Sequence, residues 1–436
     1  MSKDLFDLPE GWSWQPLSAL AEIVSGGTPS REVAEYWSPA EIAWVTPTDI
    51  TGSDGRHLTS SKERISKAGL QKSSAAMLPV GTVLMTSRAT LGQAKISAVE
   101  CCTNQGFKSL VPKTGVPSEY LYYLVQLFKT RYEQLGIGST FLEVSKKDTE
   151  KFMLPVAPEG QRISIAKILG CVDNQIDATQ ALIDKYTAIK QGMMADLFSR
   201  GIDPETKALR PTFEEAPQLY HETTLGMLPK EWDVIELENL LDDVATPMRS
   251  GPFGSALLKE ELVSEGIPLL GIDNIFVERF KASYKRFVTE RKFRELSRYA
   301  VRERDVVITI MGTVGRACVI PESIGLALSS KHLWTMTFDK EQILPELVCW
   351  QLNHSPWAEN WFRRESQGGV MDAIQSQTLK KLKLVVPTPA EQNAIYERYE
   401  NLNNHIEVNQ TSLDKLKLQK AGLMQDLLTG KVPVPA

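Results

Sequence analysis

The chain has 436 residues, 42% of them hydrophobic and 24% charged, with a formal net charge of −5. That length exceeds one ordinary core, and the balance is that of a globular protein of two or three domains. No apolar run approaches the roughly 20 residues of a membrane span, and the opening residues, Met1 to Phe6, lack an apolar stretch with a small-residue cleavage site, so a cytoplasmic chain is expected.

The elements come twice. Leu8-Pro9-Glu10-Gly11-Trp12 opens the chain, and Leu228-Pro229-Lys230-Glu231-Trp232 opens a second passage of the same plan. A Gly/Pro turn follows in each, Gly26-Gly27-Thr28-Pro29-Ser30 and Gly251-Pro252-Phe253-Gly254-Ser255. Strand-like runs ending in an acidic residue come next, at 42–50 and 267–275, then β-branched runs at 81–86 and 305–310. These lead into Thr90-Leu91-Gly92-Gln93-Ala94 and Thr313-Val314-Gly315-Arg316-Ala317. Short strands bounded by such turns predict a mixed α/β (α+β) domain. Helical stretches are expected at 118–134 and 344–364.

Each passage ends in a long helix, at 161–200 and 391–430. In the first, Ile165, Leu169, Val172, Ile176, Thr179, Ile183, Tyr186, Lys190, Met193 and Leu197 step by alternating fours and threes. The second takes the same steps 230 residues later, through Ile395, Tyr399, Leu402, Ile406, Asn409, Leu413, Leu416, Lys420, Leu423 and Leu427. The polar interruptions correspond, Thr179 with Asn409 and Lys190 with Lys420. A seam of period 3.5 over about 60 Å packs against another long helix. The partner is expected within the chain, because linkage raises effective concentration over a symmetric dimer. Residues 201–227, with Pro204, Pro211 and Pro217, read as a linker. Antiparallel pairing keeps that connection short, giving a dumbbell with a pseudo-two-fold internal repeat. Two similar domains held apart suit a ligand with two sites, and duplex DNA fits. The net charge is against a protein gripping DNA alone, but 278–304 holds ten Lys/Arg against four Glu, a net +6. Likewise 56–72 holds five Lys/Arg against one Glu, a net +4.

The Leu-Pro-x-x-Trp openings, the two Gly-rich turns, Thr46-Pro47-Thr48-Asp49-Ile50, Asn104-Gln105 and the helix starts at Pro158-Glu159-Gly160-Gln161 and Pro389-Ala390-Glu391-Gln392 resemble the specificity subunit of type I restriction–modification enzymes. So does the ending Leu427-Leu428-Thr429-Gly430. The resemblance covers essentially the whole chain. It implies a first target-recognition domain at 1–157, a first conserved helical region at 158–200, the linker at 201–227, a second target-recognition domain at 228–388, and a second helical region with the tail at 389–436. It implies a split, asymmetric double-stranded DNA target, with the helices as a ruler between its halves. Two methyltransferase (modification) subunits and restriction/translocase subunits are the implied partners. S-adenosylmethionine for adenine-N6 methylation, ATP and Mg are implied in those partners, with no cofactor in this chain. The second half departs where Ser330-Lys331-His332 stands for Asn104-Gln105.

A non-catalytic chain is expected. There is no Gly-rich cofactor loop and no Asn/Asp-Pro-Pro-aromatic motif, and the Gly-x-x-Gly piece at 312–315 is too short to bind a nucleotide. The five histidines are scattered, and Cys101, Cys102, Cys171, Cys318 and Cys349 form no CxxC pair, so reduced thiols and no metal site are expected. An autonomous DNA-modifying enzyme with an unrecognised site, or a coiled-coil adaptor for proteins, are the competing readings. For DNA contacts the candidates are Arg88 and Arg316 after central strands, since arginine pairs with guanine or phosphate. Thr28, Ser30, Ser87, Thr90, Asn104, Gln105, Ser255, Thr313, Lys331 and His332 are polar turn residues near them. Lys281, Lys285, Arg286, Arg291 and Arg294 are the candidates for phosphates. The outer helix faces, including Asp177, Asp184, Lys185, Glu407, Asp414, Lys415 and Lys417, are candidates for docking methyltransferase subunits.

Overall fold

The two seams fold as two continuous helices, Glu159–Ser199 and Pro389–Leu427. Every seam position is buried or half-buried, from Ile165 and Leu169 through Val172, Ile176, Ile183 and Tyr186, and from Ile395 and Tyr399 through Leu402, Ile406, Leu413, Leu416, Leu423 and Leu427. The computed structural model describes residues 6–88, 90–137, 142–203, 205–312, 314–366 and 374–435. It divides into one unit of Met1–Asp184 with Glu407–Ala436, and another of Lys185–Ile406. Each unit thus holds the start of one helix and the end of the other, and the pairing direction can be read inside each.

In the first unit Asp173 meets Lys420 at 2.7 Å, and Ile165 and Leu169 share a core with Leu423 and Leu427. In the second, Tyr186 stacks on His405 with ring centroids 5.1 Å apart, Lys190 bonds Asn403 at 2.8 Å, and Met194 and Leu197 share a core with Ile395 and Tyr399. Numbers rise on one helix as they fall on the other. Both units therefore pair the helices antiparallel.

Each unit carries the same strand framework. In the first, a sheet runs Ala21–Ser25, Phe107–Pro112, Val83–Thr86, Ala94–Ser97, with His57–Leu58 added parallel at the edge. In the second the order is Met248–Ser250, Leu333–Met336, Val306–Thr309, Ala317–Val319. A three-stranded sheet accompanies each, centred on Ile42–Val45 and on Ile267–Leu270, with one antiparallel and one parallel neighbour. Ser13–Pro16 pairs with Met153–Val156, and Asp233–Glu236 with Lys383–Val386, closing each domain just before its helix. Mixed sheets with continuous buried runs such as Val83–Thr86 are the mixed α/β class.

Five stretches differ from the sequence expectation. The run at 42–50 is a strand only to Val45. Thr46 then caps a short helix, Pro47–Thr51, with Pro47 in its first turn and the Asp49 carboxylate accepting from the Thr46 backbone at 2.8 Å and the Lys62 backbone at 3.0 Å. The run at 267–275 likewise ends at Leu270, where Asn274 turns back to accept from the Gly271 backbone at 2.9 Å. The helix expected at 344–364 breaks at Ser355, because the residue before Pro356 is driven out of helical geometry; that at 118–134 breaks at Phe128. The linker at 201–227 is not featureless: Tyr220–Thr223 pairs with Gly226–Pro229 as a hairpin, and Ile202, Tyr220 and Leu228 are buried.

The start of the second helix is tied down by a buried charge. Glu391 is fully buried; it accepts from both terminal nitrogens of Arg210, from Trp232 Nε1 at 2.7 Å and from the Ile202 backbone at 2.6 Å. Gly201, at φ +68°, caps the first helix against this group. The counterpart 230 positions earlier is neutral: Gln161 accepts from Trp12 Nε1 at 3.2 Å. Removing Glu391 strands the Arg210 guanidinium. Glu391→Ala is expected to cost about 3–5 kcal/mol in urea unfolding, against about 1 kcal/mol for Gln161→Ala.

Candidate nucleic-acid interface

In each unit the Gly-rich turn is pressed onto the end of a strand in the smaller sheet. A Cβ on Gly26 would strike the Thr103 and Asn104 carbonyls, and one on Gly251 would strike Ser329 and Ser330. No other residue permits that approach. The same contact therefore brings turn 26–30 against Asn104-Gln105, and turn 251–255 against Ser330-Lys331-His332.

In the first unit, exposed Thr28 donates to Gln105 Oε1, and the Asn104 side chain accepts from the Gly106 backbone at 2.9 Å. The Ser87 backbone donates to the Gly106 carbonyl at 2.7 Å, which lays the next turn alongside. Ser30 and Thr90 are exposed on these turns, whereas Ser87 is fully buried and its Oγ accepts from Lys108 Nζ at 3.3 Å. Arg88 is paired with Glu143 at 2.8 Å, and Lys108 lies 3.5 Å from the same carboxylate. Burial draws the Lys108 ammonium below its usual pKa even with Glu143 beside it. Thr28, Ser30, Asn104, Gln105 and Arg88 are thus gathered on adjoining turns, with Ser87 beneath them.

The second unit fills the same framework with cations. A cavity of about 240 Å³ lies beside the turn, lined by Gly254, Leu258, Arg286, Ser330, Lys331 and His332. Arg286 pairs with Asp273, and Lys285 lies 3.6 Å from that carboxylate. The Ser330 hydroxyl and the Arg286 Nε are buried without a hydrogen-bond partner among the described residues. Burial, with the Lys331 and Arg286 charges, holds the His332 imidazole below its ordinary pKa. Ser255 and Lys281 are exposed, Lys281 6.0 Å over the Phe276 ring. Arg316 is half-buried just before the strand Ala317–Val319 and has no ion pair among the described residues. Arg291 and Arg294 stand apart on the helix Glu290–Glu295, exposed and paired with glutamates one turn away. Thr313 lies outside the described residues.

The sequence reading passed over three groups. Arg31, next to Ser30, stacks its guanidinium on Trp37 at 3.9 Å while pairing with Glu63 at 2.6 Å. Arg279 stacks on Phe276 at 5.2 Å, adding to the cationic loop around Lys281. Arg249 and Asp305 form a buried pair under the second turn, the carboxylate also taking the Thr337 hydroxyl at 2.6 Å. Adjacency to the turn was the available signal for Arg31, and the basic stretch 278–304 was the signal for Arg279; nothing local marks Arg249 with Asp305.

A strand framework built twice, presenting polar turns and ending each time in a long helix, defines a recognition protein with two similar domains. A family model for the type I restriction modification DNA specificity domain matches residues 9–187 and again 229–418, and the chain belongs to that family. It is 30% identical over 244 residues to the MjaIX specificity subunit of Methanocaldococcus jannaschii, 55% of this chain and 53% of that one. To the MjaVIII specificity subunit of the same organism it is 24% identical over 323 residues, covering 72% and 70%. The first of these matches spans about half the relative's length. In fold the chain is similar to the crystal structure of the type I S subunit from M. genitalium, at TM-score 0.60 and 15% identity, over 100% of this chain and 99% of that one.

A duplex phosphate placed beside His332 would favour the protonated imidazole and raise its depressed pKa. Affinity is then expected to rise as pH falls from about 8 to about 6. Fluorescence titrations of duplex DNA should show that slope in the native chain and lose it in His332→Gln.

Proposed function

We propose that this chain is the DNA-reading component of a type I restriction–modification assembly. Its two domains read unlike halves of a split, asymmetric duplex target, and the paired helices set the gap between them. The reading is carried by one observation: turns held identically in the two units present different side chains, Thr28, Asn104 and Gln105 in one, Ser255, Lys331 and His332 in the other. A shared framework fixes how each domain meets a duplex, and the differing side chains make the two half-sites differ. Arg88, Arg316, Lys281, Lys285 and Arg286 supply guanine or phosphate contacts, and Arg291 and Arg294 phosphate contacts. Ser30, Ser87 and Thr90 shape or line the same surface.

The chain itself performs no chemistry. Two methyltransferase subunits dock on the outer helix faces, using S-adenosylmethionine on adenine N6, and restriction/translocase subunits add ATP- and Mg-dependent cleavage. Purified chain given duplex DNA and S-adenosylmethionine should transfer no methyl group alone. Selection of random duplexes by the chain with its methyltransferase partner should return two unlike half-sites at one fixed gap.

The ruler is tested by adding one helical turn to both helices. Asp177 lies 4.0 Å from Arg56 of the globular domain, so the insertions belong further along, after Asp184 and after Ile406. Four residues add about 6 Å, or about two base pairs at 3.4 Å each. The selected gap should lengthen by about that amount with both half-sites unchanged; an unaltered gap rejects the ruler.

A further inference from the structure

Asp173 and Asn403 occupy the same position of the repeat, 230 residues apart, and so do Lys190 and Lys420. Each pair meets across the seam: Lys420 Nζ lies 2.7 Å from the Asp173 carboxylate, and Lys190 Nζ donates to Asn403 Oδ1 at 2.8 Å. The globular domain of each unit reaches the same point with a side chain of opposite sign. In the first unit it is Arg56, with Nη1 3.9 Å from Asp173 and Nη2 donating to Asn174 at 2.8 Å. In the second it is Glu278, which takes the Lys190 ammonium and lies 3.2 Å from His354 Nε2. The four central groups are withdrawn from solvent, Arg56 at 13% exposed, Asp173 at 9%, Lys190 and Glu278 at 10% each, with Lys420 at 23%.

We propose that these are matched charge keys that commit each recognition domain to its own seat on the helix pair. The first seat offers a carboxylate and a lysine and receives a cation. The second offers an amide and a lysine and receives an anion. Were the domains exchanged, Arg56 would meet Lys190 and, in place of the Asp173 carboxylate, the neutral amide of Asn403. Glu278 would meet Asp173, two carboxylates sharing Lys420. A buried charge left without its partner is strongly destabilising, so the wrong order is penalised at both seats.

Three further observations fit a shaped lock. Glu278 holds a left-handed φ of 56°, uncommon for a side-chain-bearing residue, and Gly55 beside Arg56 holds 68°. Burial opposes ionisation of Glu278, yet His354 and Lys190 outweigh it and keep the carboxyl below its ordinary pKa. Tyr123 donates to Asp173 at 2.6 Å, and the Lys190 ammonium also lies 4.8 Å over the Tyr399 ring. The mostly exposed Asp177 adds a weaker partner for Arg56 at 4.0 Å. A fixed order of readers would set the polarity of an asymmetric target, a consequence that rests on the function proposed above. The keys themselves do not depend on it.

The direct test exchanges residues 13–156 with 233–386 in the full chain, then re-keys the seats with Asp173→Asn and Asn403→Asp. Melting temperature is read without DNA, so failure to bind DNA and failure of the keys remain distinguishable. Re-keying should raise the melting temperature of the exchanged chain and lower that of the native order, by roughly 3 °C or more each. A change of the same sign in both, or none, overturns the proposal. If the exchanged chain does not fold, the native chain decides through a cycle at the second seat. Asn403→Asp should lower the melting temperature when Glu278 is present and raise it in a Glu278→Gln background, where it gives Lys190 its only carboxylate. An equal effect in both backgrounds overturns the keys.

Discussion

A helix with an apolar stripe of period 3.5 cannot bury that stripe alone, and in this chain its partner is the matching stripe of the other repeat. Everything else is arranged around that pairing. Because the helices run antiparallel, the start of each lies beside the end of the other, so neither repeat forms a unit from its own residues. The core around Tyr120 and Leu154 includes Leu427 and Leu428 from the far end of the sequence. The core around Trp232 and Ile395 includes Met194, Leu197 and Phe198 from the first helix. Covalent order and spatial order therefore differ, and the chain's two compact units cut across its two repeats.

A framework used twice is free to diverge where it does not pack. Strand order, the closing strand pair and the tryptophan that anchors each helix start recur in both halves. What changes is charge. Gln161 becomes Glu391 with its arginine, Asp173 becomes Asn403 with a glutamate supplied from elsewhere, and Asn104-Gln105 gives way to Lys331-His332. Apolar positions are constrained by the partner helix and sheet, while polar ones need only a satisfied local balance. The two turn surfaces differ for the same reason, the first gathering amides and hydroxyls beside a paired Arg88, the second chiefly cations.

The helices and turns were legible because their signals are periodic or local: the seam repeats for about ten turns, and Gly26 and Gly251 announce turns that approach a strand end. The short helix Pro47–Thr51 was missed because its apolar neighbours continue the strand pattern, and only the Thr46–Asp49 cap betrays it. The hairpin Tyr220–Pro229 was hidden among prolines. Asp173 and Glu278 had no signal at all. Their meaning depends on partners far away in the sequence, Lys420 for Asp173 and Lys190, 88 residues distant, for Glu278, and no spacing rule connects such positions. Arg291 and Arg294 show the converse: their clustering is plain in the sequence, but their pairing with Glu295 and Glu290 along one helix turn appears only in the structure.

The antiparallel pairing of helices within one chain is tested most directly by a distance between spin labels. Gln191 and Asn401 are both exposed, on facing helices of one unit, and exposed Cys171 would be replaced by serine. Antiparallel packing gives a separation under about 20 Å, with helix axes 8–10 Å apart and labels outside them, unchanged when labelled chain is diluted with unlabelled. Parallel pairing of equal repeat positions would offset these sites by 20 residues, about 30 Å along the rod. A separation of that size, or a short one that vanishes on dilution, would contradict the account.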